Sequence, residues 1–592
     1  MLYRELASAY DQIESVSGML EKIRLFSEVL KRAAPSEVAH IVALTLGRLF
    51  PDWMGEPELG LAEKTTIQVV AAAASVRERD VLELLKKTGD IGTTAEELLR
   101  NSAQGSLFRE EITVKRVFDT LYSVAKSSGQ GSTRDKVSIL VGLLADAEPI
   151  EARYILRTVI GDLRLGLGTM SIVDALALAF TEGKSASPII ERALYVNSDL
   201  PNIAHILASQ GIDAVRQIGI EVGRPIMMMA AKKLANPREI LEKTGGRALV
   251  EYKYDGERLQ IHKRGSEIIL FSRRHEMITA QYPDIVELVK NSVTARECVL
   301  EGECVATDIE TGRVRPFQEL MRRRRKTGID AMTTEVPTAL YLFDALYVDG
   351  RTIMDLPLLE RRKMLENIVK VGPRMDLTRA ELTDQPERLN EILSEALSEG
   401  HEGVIAKAVH EQSVYQPGQR SWLWIKLKAS YSEVLADSFD LVVVGAMHGR
   451  GKRTGVYGAI LAAVYDPETD SYPTVCKIGT GFTDQMLTQF KERLDHHIIP
   501  VRHPRVVSDI EADVWFEPRC VIEVLGDEIT VSPIHPAGRD RLRAGGLAIR
   551  FPRFTGRWRD DKDPTQASTV DDLVEVFEKQ RGPTQGEDAD GP

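Results

Sequence analysis

The spacing of apolar residues changes character twice along this chain, and that change limits the fold more than any single motif. Over residues 1–225 apolar side chains recur near a helical period, as Leu6, Tyr10, Ile13 and Met19 do in "YRELASAYDQIESVSGMLEKI". "TTAEELL" offers Thr94 as a helix cap with Glu97 three residues on, and "SIVDALALAF" offers Ser171 with Asp174. Strand patterns are scarce here, so an all-α domain is expected. After "GRPIMMMAAKKLANP" short β-rich runs take over: "ALVEYKY", "RLQIHKR", "EIILFSR", "CVLEGECVA" and "ALYLFDALYV". Helical pieces such as "LLERRKMLENIVK" interrupt them, which reads as an α+β domain over 226–435. From Asp440 onward strands come at short intervals with Gly-rich turns, consistent with a small β-barrel of the OB type over 436–580. "STVDDLVEVFEKQ" closes it as a helix, capped by Ser568 with Asp571 in the box position and with Val570, Val574 and Phe577 on one face. The last stretch, 581–592, has the composition of a disordered tail.

At 592 residues there is room for about three or four such domains. The net charge of −12 argues against a protein that is basic overall. It leaves nucleic-acid binding open, because the placement of basic residues matters more than their sum. Cys298, Cys304, Cys476 and Cys520 are scattered with no C-x-x-C pair, which disfavours a zinc ribbon and a disulfide framework. No run approaches a membrane span, and "MLYRELASAYDQIE" lacks the basic flank and apolar run of a signal peptide. A cytoplasmic location is the expectation.

"EYKYDGERLQ" holds Lys253 two residues before an Asp-Gly pair, with Arg258 three residues beyond. A lysine is a nucleophile only when its amine is unprotonated, which requires burial or nearby positive charge. A solvent-facing strand lysine reads equally well from these residues alone. "LEGECVA" sets Glu301 and Glu303 two apart on a strand, and "HEGVIAK" adds Glu402 and Lys407. Acids inside short apolar strands suit Mg²⁺ and ribose contacts, or simply a wet strand edge. "RSWLWIKLK" alternates Lys426 and Lys428 with apolar residues, so both leave one strand face, as phosphate neutralisation would require. Phe343 in "YLFDALY" reads locally as core.

In order, "KYDGER", "FSRR", "LEGECVA", "YLFDAL", "EGVIAK", "WIKLK" and "RWRDDK" resemble the motif series of covalent nucleotidyltransferases, and among them the ATP-dependent DNA ligases of archaeal type, related to eukaryotic replicative ligases. "GDLRLGLGTMSIVDALA" resembles that family's helical DNA-binding domain, so nearly the whole chain is covered. The resemblance implies a DNA-binding domain at 1–225, an adenylation domain at 226–435 and an OB-fold domain at 436–580.

It also implies roles. Lys253 would take AMP from ATP, Glu251 would meet the adenine edge, and Arg258 would lie near the ribose and the nick phosphate. Arg273, Glu303, Phe343, Arg420, Lys426 and Lys428 would complete the nucleotide site: Glu303 at the ribose, Phe343 stacked on adenine, and the two lysines at the α-phosphate. Glu303 and Glu402 would bind Mg²⁺, with Mn²⁺ as an alternative. Arg559 and Lys562 would orient the pyrophosphate. The expected activity is nick sealing in double-stranded DNA through lysyl-AMP and an adenylated 5′-phosphate, by a monomer serving replication, repair and recombination. The OB domain would swing between two states on a hinge near 430–440.

Two further segments carry expectations. The basic run Arg322, Arg323, Arg324, Arg325 and Lys326 is read as a DNA-backbone contact over a solvated loop. Gln104, Leu107 and Phe108 in "AQGSLF" resemble a shortened sliding-clamp-binding peptide, though a loop with a buried Phe fits equally. An RNA ligase or a capping guanylyltransferase competes as a function, but the long helical region argues against both. A non-catalytic DNA-bridging protein would have no use for Lys253, Glu303, Glu402 and Lys426.

Overall fold

The computed structural model describes residues 1–54, 59, 61, 63–101, 110–127, 132–308, 311–315, 317–323, 329–428, 438–449, 453–542 and 545–581. These form two packed units, one from residues 1–87 and 91–428 and the other from residues 88–90 and from residue 438 onward. Within the first, thirteen α-helices among the described residues run from Tyr3–Ser15 to Ile212–Arg216, around a core that includes Tyr3, Tyr10, Phe26 and Tyr154. No described helix is long and apolar enough to cross a membrane.

Several local expectations shift here. The opening pattern splits into two helices, Tyr3–Ser15 and Met19–Arg32. Leu6, Tyr10 and Ile13 are buried, whereas Met19 starts the second helix with its side chain exposed. Thr94 is no cap: its helix runs Ile91–Asn101, and its hydroxyl lies inside, fully buried. The helix expected to start at Ser171 begins at Thr169 behind Gly168, and Asp174 instead accepts from Lys184 and Ser187. For Asp174 these contacts outweigh the local cap signal, and Thr94 is taken into the helix by its burial.

Eleven strands follow among the described residues of the same unit: β1 (Ala230–Lys233), β2 (Ala248–Lys253), β3 (Glu257–Arg264), β4 (Glu267–Ser272), β5 (Glu297–Ala306), β6 (Thr338–Val348), β7 (Arg351–Thr352), β8 (Met375–Leu377), β9 (Ala380–Thr383), β10 (Gly403–Ala408) and β11 (Arg420–Lys428). One sheet has the order β1-β11-β10-β2-β9; the other has β4-β3-β5-β6-β7, with β8 beside β6. Helices Pro237–Lys243, Pro283–Ser292 and Pro386–Ser398 each begin at a proline, whose missing N–H costs nothing there. Between the sheets one apolar cluster joins Phe343 of β6 to Trp424 of β11, along with Met229 and Tyr415. The segment entering β1 is fastened to β3: Gly223 N–H donates to His262 Nδ1 at 3.0 Å, and Ile226 N–H to Gln260 Oε1 at 2.7 Å.

The second unit is strand-rich. Among the described residues an eight-stranded sheet includes Phe439–His448, Tyr457–Ala463 and Val521–Leu525, and Glu528–Ser532 pairs antiparallel with Gly546–Arg550. Its closing helix is Val570–Arg581, with Val570 and Phe577 buried. The capping pair is Thr569 and Asp572, one residue later than expected, because the Ser568 hydroxyl instead accepts from Asp440 N–H at 3.0 Å. Most of the expected hinge and tail, and all of the clamp-like peptide (Gln104, Leu107, Phe108), lie outside the described residues.

Candidate active site

Register builds the site. Lys253 at the end of β2 is directly opposite Gly403 of β10, which is directly opposite Lys428 of β11. One pleat back, Glu251, Ile405 and Lys426 form the next row. Alternate residues share a face, so Glu251, Lys253, Lys426 and Lys428 project together. Gly403 leaves the first row bare between its two lysines. It has φ +142°, and a Cβ there would come within 2.3 Å of Leu427 O, so no other residue fits.

Into that gap Glu402 turns its carboxylate. Lys428 Nζ lies 2.8 Å from it, and Lys253 Nζ pairs with the same oxygen. Burial alone would raise the Glu402 pKa, but Lys253 and Lys428 overcome it and hold it at about 2. Asp255 has the opposite fate. Burial, reinforced by the charge of Glu402, pushes it up to about 6. Glu303 sits across β3–β5 from Arg258 and is pushed up to about 7, chiefly by burial. Lys253 and Arg258 oppose that rise, while Glu402 and Asp255 add to it. Burial and its neighbours Lys428, Lys253 and Arg420 press the Lys426 pKa down.

Glu303 and Asp255, raised chiefly by burial with Glu402 adding to it, are carboxylates whose charged form a bound cation would favour. That fits Mg²⁺, which takes one or two protein carboxylates and completes its shell with water and phosphate. Among the described residues no group of three or more metal-ligating side chains converges.

The Asp-Gly turn between β2 and β3 also has a packing cause. A Cβ on Gly256 would lie 2.2 Å from Cys304 O, so the chain can press against β5 only without a side chain. This close approach brings Lys253 of one sheet beside Glu303 of the other.

Other expected residues fare differently. Phe343 is 8% exposed, with Lys407 Nζ 4.7 Å and Arg258 Cζ 5.2 Å from its ring centre. Arg258 spends two donors inside the protein, on Met229 O and Glu301, both at 2.7 Å. Glu301, grouped with Glu303 by spacing, is fully buried and accepts from Arg258, Gln260 and Tyr415. That makes it a structural acid, a correction to the paired reading. Arg273 and Arg420 are exposed at the end of β4 and the start of β11. Arg559 and Lys562 belong to the second unit, where each donates to Asp440 at 2.6 Å.

Arg323 is the clear correction in the basic run. It is 2% exposed and forks onto Asp284 at 2.7 and 3.2 Å, so it cannot also reach DNA. Arg322 is exposed and pairs with Glu335, and Arg324, Arg325 and Lys326 lie outside the described residues.

Sequence reasoning passed over Asp255, although it stands inside the first motif. It also gave no partner to Glu251, which is clamped by Lys407 at 2.8 Å and Arg362 at 3.2 Å. Nothing in "LLERRKMLENIVK" distinguishes Arg362 from its neighbours.

Comparison with known proteins accounts for this arrangement over the whole chain. Family models described as the ATP dependent DNA ligase domain, the DNA ligase N terminus and the ATP dependent DNA ligase C terminal region match residues 228–428, 2–177 and 453–562. Two solved structures, Pmar-Lig_Pre and Pmar-Lig_PreS3, share the fold with TM-scores of 0.55 and 0.53 at 16% identity. They cover 94% and 93% of this chain and 99% of their own. The class is therefore a multidomain ligase: a helical N-terminal region, a central adenylation domain and a strand-rich C-terminal domain.

Among curated proteins, DNA ligase 2 of Thermofilum pendens is 50% identical over 588 residues, and the DNA ligase of Aeropyrum pernix is 46% identical over 592. Each alignment covers 98% of both chains. The chain belongs to the family of ATP-dependent DNA ligases, of archaeal type.

Proposed function

We propose that this protein seals nicks in double-stranded DNA, with Lys253 as the residue that carries AMP. The observation that carries the reading is the row of Lys253 and Lys428 gripping Glu402, with Glu303 and Asp255 beside it. Lys253 Nζ, once deprotonated, attacks the α-phosphorus of ATP. A P–N bond forms, the P–O bond to pyrophosphate breaks, and the amine proton is lost. The AMP then passes to the 5′-phosphate at the nick, which restores the lysine. Last, the 3′-hydroxyl attacks that activated phosphate, loses its proton and expels AMP.

Each transition state spreads negative charge over phosphoryl oxygens, so positioned cations carry most of the catalysis. Lys426 and Lys428 stand on the face where those oxygens would lie. Glu303 and Glu402 would hold Mg²⁺ (or Mn²⁺), which supplies further neutralisation of phosphate charge when bound. Glu251 and Phe343 would receive adenine, Arg258, Arg273 and Arg420 would contact the nucleotide, and Arg559 and Lys562 would orient pyrophosphate. The strand-rich unit is read as an OB fold. The enzyme is taken to act as a monomer in replication, repair and recombination.

The test is incubation with α-labelled ATP followed by a denaturing gel. Label should stay on the protein and vanish in Lys253→Ala, and nicked duplex DNA should be sealed in preference to nicked RNA. Label from GTP alone would overturn the reading. The clamp-binding reading of Gln104, Leu107 and Phe108 rests on sequence; a clamp pull-down in which Phe108→Ala binds as wild type removes it.

A further inference from the structure

We propose that Arg362 and Lys407 are positioning residues that set the choice of nucleobase, by fixing Glu251 as an aimed, acceptor-only carboxylate beside the Phe343 ring. The proposal rests on the nucleotide site proposed around Lys253 and names what selects its donor.

Glu251 lies one pleat from Lys253 on the same face of β2, a separation of about 7 Å, close to the span from an α-phosphate to its base. Its carboxylate is almost wholly buried, at 2% exposure, and both oxygens are held. Lys407 Nζ, itself 1% exposed, lies 2.8 Å from one oxygen, and Arg362 donates to the other at 3.2 Å. Arg362 is in turn aimed by Thr378, donating to its hydroxyl at 3.0 Å and its carbonyl at 2.7 Å. Lys407 also sits 4.7 Å from the centre of the Phe343 ring, so it fixes the carboxylate next to an aromatic face.

This arrangement is chemically specific. An ionised carboxylate has acceptors and no donor. Beside an aromatic face it welcomes a base with an exocyclic amino group and repels one with a carbonyl at that position. Adenine is the first kind at its 6-position and guanine is the second. Two basic side chains, one on each oxygen of this buried acid, keep it from turning away. The neighbouring arginine serves elsewhere. Arg361 is fully buried against Asp344, at 2.8 and 2.9 Å, and leaves Glu251 alone.

The test compares ATP, GTP and purine riboside triphosphate, which has no 6-substituent, as donors in lysyl-nucleotide formation by full-length protein. Wild type should rank ATP first. Arg362→Gln should raise the KM for ATP about tenfold with turnover little changed, and lower the ATP preference over both other donors by about tenfold. Lys407→Met should do the same or more, and Lys407→Arg should restore part of the preference. Thr378→Val, which loses only the hydroxyl that aims Arg362, should show a smaller change in the same direction and guards against a folding failure in the charged variants.

A uniform loss with all three donors, or an unchanged preference in Arg362→Gln and Thr378→Val, overturns the proposal. Absence of any lysyl-nucleotide in wild type would instead sink the function on which it rests.

Discussion

Two charged clusters in the adenylation domain behave in opposite ways. Around Asp284 two arginines and a hydroxyl answer one buried carboxylate: it accepts from Arg323, from Arg374 at 2.6 Å and from Thr338 at 2.7 Å. Burial alone would raise its pKa, yet these donors bring it below the ordinary value. Around Lys253 the donors do not offset burial in this way: Glu303 and Asp255 are pushed up, chiefly by burial, with acidic neighbours adding to it. A cluster whose donors balance the cost of burial behaves as scaffold, whereas one in which burial still dominates its acids is open to a further partner. The basic run shows how sequence alone misleads here, since its Arg323 is the most buried cation of the balanced cluster.

The largest effect that would separate the two clusters is chemical. Lys253→Ala should lower lysyl-AMP formation below about a thousandth of wild type while leaving the melting temperature close to unchanged. Asp284→Ala should invert that pattern. It strands buried Arg323 and should cost about 3–5 kcal/mol in denaturant unfolding. A fully stable Asp284→Ala would show that the balanced cluster is not scaffold.

Glu303 sharpens the contrast through pH. Its folded pKa of about 7 lies above its ordinary 4.5, so the fold favours the neutral acid. That contribution is whole below pH about 4.5 and is lost as pH rises through about 7. In metal-free, nucleotide-free protein, Glu303→Gln should therefore gain about 1–2 kcal/mol over wild type at pH 8 and little at pH 5. Equal melting curves at both values would contradict the assignment.

The smallest effect concerns DNA. Neutralising Arg322, Arg324, Arg325 and Lys326 while keeping Arg323 should weaken nick binding. It should also flatten the salt dependence, by up to about 0.9 in slope for each phosphate no longer neutralised. Stability should not move, and binding unchanged at all salts rules out a role for this run on DNA.

Much of this was legible in residue order, because strand alternation alone sets Lys426 beside Lys428 and Glu251 beside Lys253. Domain character followed from periodicity for the same reason. What stayed hidden depends on pairing across long stretches of chain. Glu301 and Glu303 look alike in "LEGECVA", yet Tyr415, 114 residues away, claims the first. Arg362 meets Glu251 across 111 residues, and no local pattern announces that. Thr94 and Ser171 misled for the converse reason: a cap signal is local, and helix ends are also set by packing.

The bare positions of the site have a consequence for anyone who reads variation in this family. Gly256 and Gly403 are held by backbone oxygens 2.2 and 2.3 Å from where a Cβ would stand. A randomised library selected for sealing should return glycine at both as stubbornly as lysine at 253. Invariance of that kind reports the thickness of a polypeptide rather than a reaction, and a map of intolerant positions would count both as catalytic unless the distances were consulted first.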